Sequence, residues 1–218
     1  MAKDSRGGKR SVDSEKGFIT INGDKIEFDG ELVYGDRQKL ASEDIRNWEN
    51  KRRFSKIEYA VIFDENGNII GKEIRGGKNS VGVPEDLLKS PNLTLTHIHP
   101  GVTRLSGTLT YKDLKQFVEN PIKTMRAVGR EGTYSITKGA KFKAKEFDNY
   151  VWGVEKKFDD KTNKIYTSIS SDYNDGRITL DKAKKIWDRE FNNALLEQHE
   201  AMRKGQKQYG YTYSLERS

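Results

Sequence analysis

Apolar residues along this chain fall into two rhythms, separated by Gly, Asn and Asp clusters. Alternation with a period of two marks strands, and spacing of three and four residues marks amphipathic helices. Residues 18–28 alternate on either side of Asn22 and Gly23, a strong hairpin signal, and predict a small two-stranded ribbon. Residues 36–53 predict a helix with Leu40, Ala41, Ile45 and Trp48 on one face. Lys51, Arg52 and Arg53 stand at its C-terminal end, where positive charge suits the helix dipole. Residues 57–63 then read as a strand, 64–67 as a turn, and 68–74 as the returning strand of a hairpin. Gly76 and Gly77 mark another turn, a short segment covers 81–83, and Pro84 opens a brief helical turn. Residues 93–98 predict a buried strand that Pro100 and Gly101 end. From Thr110 a helix carries Leu114, Phe117 and Val118 on its apolar side, and 125–129 with 132–136 predict a further strand pair.

The pattern thins beyond residue 140. Residues 150–154 and 164–169 are expected to pair as strands across 159–162, with a helical extension over 150–158 as the alternative. Thr179 opens a long amphipathic helix whose apolar stripe holds Leu180, Ala183, Trp187, Phe191, Ala194, Leu195 and Met202. Gly205 is expected to close it, and residues 209–213 to add a final strand or an aromatic tail. Such a stripe is a docking face, so this helix either packs back on the domain or binds a partner chain. The order of elements predicts an α/β (α+β) fold. The chain divides into a basic arm over 1–16, a ribbon and helix over 17–53, a central domain over 54–140, and a C-terminal extension over 141–218.

Composition narrows the chemistry. The 218 residues contain no cysteine, which excludes a disulfide framework, a thiol nucleophile and any Cys-ligated zinc. A bound metal would have to be held by His and carboxylate. The net charge of +7 admits a nucleic acid partner. Acidic and basic residues are interspersed, however, and no basic stripe with interleaved aromatics appears, so a solvated charged surface accounts for the balance. No apolar run approaches the length of a membrane span, and the N-terminal arm has no hydrophobic signal core. The expectation is a cytoplasmic protein, or a virion component if it is phage-encoded.

The candidate chemistry centres on His97 and His99, two of only three histidines in the chain. At i and i+2 on a strand they project to one face and can meet at one point. Asp113, in the first turn of the following helix, returns a carboxylate toward them. Two imidazoles and a carboxylate leave a fourth position open, as catalytic zinc sites require. Simpler readings exist for each part. Strand-end histidines are often only hydrogen-bonded, and Thr110 with Asp113 forms a capping box that satisfies orphan helix amides. Glu58 is a lone carboxylate on an apolar strand, costly to bury unless paired.

Taken together, Glu58 on a strand, His97-x-His99-Pro100 ending a later strand, and Thr110-x-x-Asp113 opening a helix resemble the JAMM motif of the JAB/MPN family. The resemblance is nearest to its RadC-type and phage-associated branches and covers roughly residues 55–137. It implies a curved mixed sheet flanked by helices, and a zinc-dependent peptidase or isopeptidase acting on a protein or peptide. By the same resemblance His97, His99 and Asp113 hold the metal, Glu58 is the general base, and Thr110 stands where the family has an oxyanion-stabilising serine. The chain departs from the family pattern in having Thr for Ser and a longer loop over 102–109. Ser106 lies nearer the usual position, but the residue three places after it is Leu109. Glu73, on the second hairpin strand, is the rival carboxylate. The alternative function is a non-catalytic structural or accessory binding module of a phage or mobile element, built on the same scaffold.

Overall fold

The computed structural model describes residues 17–21, 24–28, 43–100, 108–130 and 132–217. The expected basic arm, the Asn22 and Gly23 turn, the first half of the 36–53 helix and most of the 102–109 loop lie outside the described residues. Strands β1 (Gly17–Ile21) and β2 (Asp24–Phe28) pair antiparallel as the expected ribbon. Helix α1 runs Glu43–Arg52.

The remaining strands are β3 (Tyr59–Phe63), β4 (Ile69–Arg75), β5 (Thr94–Ile98), β6 (Thr124–Gly129), β7 (Gly132–Lys138) and β8 (Tyr211–Arg217). They form one open six-stranded mixed sheet in the order β4-β3-β5-β6-β7-β8. Its β5–β6 pair is parallel and its other pairs are antiparallel. Helix α2 (Tyr111–Glu119) crosses between the two parallel strands. Helices α3 (Ala144–Asn174) and α4 (Leu180–Tyr209) form a long antiparallel pair before β8. Among the described residues no helix is long and apolar enough to cross a membrane.

Strand alternation sends two different sets of side chains to the two faces of the sheet. Ala60, Ile62, Leu95, Met125, Ala127, Tyr134 and Ile136 build the main core with Leu114 and Phe117 of α2, Phe147 and Val151 of α3, and Met202 of α4. Phe117 is fully buried, its ring set edge-on against Phe142 and Phe147. Burying one such side chain contributes roughly 1.5–3 kcal/mol.

The opposite face meets α1, where Ile45 and Trp48 cover Val61 and Phe63. Beside this small apolar patch lies a buried polar network. Glu49 is 2% exposed and accepts hydrogen bonds from Thr96 on β5, Arg126 on β6 and Thr133 on β7. Arg126 also pairs with Glu216 of β8 through two bonds. Arg53 closes the network by donating to the Gly129 carbonyl and the Thr133 hydroxyl. One helix is thereby tied to several strands through a single carboxylate.

The structure corrects three expectations beyond residue 140. Residues 150–154 and 164–169 do not pair as strands: the helical alternative holds over 150–158, and 164–169 continue the same 31-residue helix α3. Its buried positions Phe147, Val151, Val154 and Thr162 recur at helical spacing, and that stripe overrides the local β-branched and aromatic content. Gly205 does not close α4, which continues to Tyr209 and ends at Gly210 with a left-handed φ of 71°. Gly205 is instead a point of close approach, since a Cβ there would lie 2.6 Å from Tyr150 Cε1 and 2.7 Å from the Tyr211 hydroxyl. Leu180 is half exposed and stands off the buried stripe. A boundary at residue 140 also does not divide the sheet, because β8 pairs with β7 along its length and Tyr211 and Tyr213 enter the main core.

Two outcomes follow for stability. Removing one partner of a buried ion pair costs about 3–5 kcal/mol. Glu49→Ala is expected near the lower end of that range, because Glu216 still pairs with Arg126, and urea unfolding measures the loss. The second outcome concerns His199, stacked on Tyr134 and hydrogen-bonded through Nδ1 to the Tyr213 hydroxyl. Burial pushes its imidazole down to about 3, against about 6.5 in an unfolded chain. The folded state binds fewer protons between those values, so this contribution is complete above about pH 6.5 and is lost as pH falls toward 3. Urea midpoints measured from pH 7 to pH 4 fall more steeply for the wild type than for His199→Gln, which can still bond the Tyr213 hydroxyl.

Candidate metal centre

The centre forms where β5 ends. Leu95 and His97 share the core face of β5, and the chain stays in register one step past the strand, as His99 N donates to the Val128 carbonyl at 3.0 Å. The two imidazoles therefore point the same way. Their Nε2 atoms lie 2.9 Å apart, with the rings edge to face at 69°.

Asp113 reaches them from the first turn of α2. Its Oδ1 lies 3.2 Å from His97 Nε2 and its Oδ2 lies 3.5 Å from His99 Nε2. The capping box fixes this carboxylate. Oδ2 accepts from the backbone N and the hydroxyl of Thr110, both at 2.7 Å, while the Thr110 oxygen accepts from Asp113 N at 3.3 Å. The capping and ligand readings of Asp113 are thus compatible, because the helix cap aims the carboxylate at the histidines. Thr110 spends its one hydroxyl proton on Asp113.

Glu58 arrives from the other side of β5. It immediately precedes β3 and extends the β3–β4 ladder, donating to the Gly77 carbonyl and accepting from Gly76 N. Ala60 pairs with His97, so the antiparallel register sets Glu58 opposite His99, on the same face as the histidines. It is 8% exposed. Glu73 stands apart on the α1 side, bonded to Arg52 twice and to Trp48 Nε1. His199 belongs to the Tyr134 and Tyr213 cluster and takes no part in the centre.

Electrostatics follow from this crowding. Burial raises the Glu58 pKa, with Asp113 adding to the rise and His97 opposing it. Burial also disfavours charge on His97, but Asp113 and Glu58 outweigh it and hold the imidazole above its usual value. Asp113 lies well below the usual carboxylate range: burial works against this, and His97, His99 and the Thr110 hydroxyl overcome it.

A metal fits these donors. His97, His99 and Asp113 each offer a ligand atom within 4.8 Å of the others. Tetrahedral zinc with ligands at about 2.0–2.1 Å places neighbouring donors roughly 3.3 Å apart, close to the 2.9, 3.2 and 3.5 Å separations here. His97 Nδ1 is buried without a hydrogen-bond partner, and the Arg126 backbone on β6 helps to hold the imidazole's pKa up.

Sequence reasoning missed Glu49 and Arg126, which hold the strands beneath the centre. Their signal was a carboxylate four residues after Ile45 on the buried stripe of α1, and an arginine inside an otherwise apolar strand. No family model, curated protein or solved structure matches the chain. Zinc at a hundredfold excess over its dissociation constant is expected to raise the unfolding free energy by about 2.7 kcal/mol. In His97→Ala that rise disappears, as thermal denaturation with and without zinc would record.

Proposed function

We propose that this protein is a zinc-dependent hydrolase of a peptide or isopeptide bond, with a JAMM-type site as in the JAB/MPN family. The observation that carries the reading is the buried Glu58, set by strand register on the sheet face of His97 and His99 and coupled electrostatically to His97 and Asp113. His97, His99 and Asp113 would hold the metal and leave one position open to solvent and substrate. Zinc held there would lower the pKa of a water molecule toward neutrality and polarise the scissile carbonyl.

The residues of the chain do the rest. Glu58 would take the proton of the attacking water and deliver it to the leaving amine, a task suited to a carboxylate whose pKa burial has raised. Asp113 remains ionised, as its depressed pKa requires of a ligand. Thr110 fixes the Asp113 carboxylate. To serve as an oxyanion donor as well, its hydroxyl must turn from Asp113 to the substrate, so its first role is positioning.

Glu58→Gln separates binding from catalysis. The variant is expected to keep stoichiometric zinc by metal analysis and to lose hydrolysis of a peptide library by about 100-fold or more. Unchanged hydrolysis would remove Glu58 from the reaction. A wild-type protein that binds zinc and cleaves nothing would favour the non-catalytic phage or mobile-element module. Absence of stoichiometric zinc, with metal content indifferent to His97→Ala, would remove the metal centre itself.

A further inference from the structure

Trp152 is the bulkiest of the exposed apolar side chains among the described residues, at 56% exposure. It stands on α3 against Tyr111, their ring centroids 5.5 Å apart and their planes inclined by 56°. Tyr111 is the first residue of α2, next to Thr110 and two before Asp113. Successive helical residues advance by about 100°, so Tyr111 and Asp113 leave that first turn on opposite flanks. The metal centre lies on one flank and the ring pair on the other, with the N-terminal end of α2 between them.

That separation has a length. A helix with its side chains is about 10–12 Å across, and an extended chain covers that distance in about three residues at roughly 3.3 Å each. A peptide held at the centre and crossing the end of α2 would reach the ring pair with its next few side chains. Tilted rings leave a face and an edge open to a third ring or a branched aliphatic group. The cavity behind, lined by Leu109, Leu114, Val151 and Met202 with Glu155 and Gln198 at its polar end, has room for little more than a water molecule. It cannot accept a side chain, and among the described residues the ring pair offers an exposed apolar surface beside the N-terminal end of α2.

We propose that Tyr111 and Trp152 form a specificity subsite that takes an aromatic or large aliphatic side chain of a peptide substrate, about three residues from the bond cleaved at the metal centre. The subsite rests on the hydrolytic reading for its role, but its selectivity can be measured without turnover. Zinc-loaded Glu58→Gln protein is incubated with a library of randomised decapeptides, and the retained peptides are sequenced. Enrichment of Phe, Tyr, Trp or Leu at one position is expected. Adding Trp152→Ala is expected to abolish that enrichment and to weaken a selected peptide about tenfold, with zinc content unchanged. Trp152→Phe, a milder change, is expected to restore part of the preference.

Absence of apolar enrichment, selection of Lys or Arg instead, or an unchanged profile in Trp152→Ala would each overturn the subsite. Digestion of the same library by the wild type tests the hydrolytic reading separately. Cleavage with no apolar preference would keep hydrolysis and remove the subsite. Apolar selection without cleavage would keep a peptide-binding surface and remove hydrolysis, and neither selection nor cleavage would remove both.

Discussion

The parallel pairing of β5 with β6 governs the arrangement of this protein. Parallel neighbours cannot be joined by a tight turn, so the chain must cross the sheet between them, and here α2 makes that crossing. The helix therefore begins near the C-terminal end of β5, where His97 and His99 lie. Its first turn carries orphan backbone amides that attract a carboxylate. Asp113 answers that demand and in doing so faces both imidazoles. One topological requirement thus brings a helix cap and two strand-end histidines to the same place. The antiparallel partner β3 adds Glu58 through its register with β5. A site at the carboxyl end of a strand, beside a crossover, is also where ligands collect in open α/β sheets.

The two faces of the sheet divide the work. One is apolar and supports α2, α3 and α4, and with them the cluster of His97, His99 and Asp113. The other is held by Glu49 and Arg126, whose network binds α1 to β5, β6, β7 and β8. Buried ion pairs contribute little net stability, because desolvation offsets their attraction. Their effect here is on register. Thr96, which bonds Glu49 on one face, directly precedes His97 on the other, so a slip of one residue along β5 would exchange the two. The polar face therefore specifies which side chains reach the centre.

Much of the central sheet was legible because its segments alternate cleanly and are separated by turn residues. The hairpin of β3 and β4, the histidine strand and the β6–β7 pair all stand where periodicity placed them. His97, His99 and Asp113 were legible as a group because a period of two and a helix-capping pattern have fixed geometries. Glu58 was singled out as a carboxylate on an apolar strand and by the resemblance, but neither fixed its face of the sheet against that of Glu73. What separates them is the face of the sheet, which the pairing of strands distant in the chain decides. The second half of α3 was misread because Tyr166, Thr167 and Ile169 favour strands locally, while the helical stripe of Phe147, Val151, Val154 and Thr162 is stretched over four turns. Gly205 was misread because its reason is the nearness of Tyr150 and Tyr211, a tertiary fact with no local signature.

The position of β8 bears on how the molecule assembles. Arg126 and Glu216 meet across 90 positions of chain, and β8 joins β7 only after the whole α3 and α4 pair has intervened. Closing so long a loop as flexible chain is entropically costly and slows folding. The helical pair shortens this, because each helix forms through local backbone bonds and their antiparallel packing then returns the chain to within reach of β7. Folding in this order leaves the β7 edge unpaired and Arg126 without its second carboxylate until a late step.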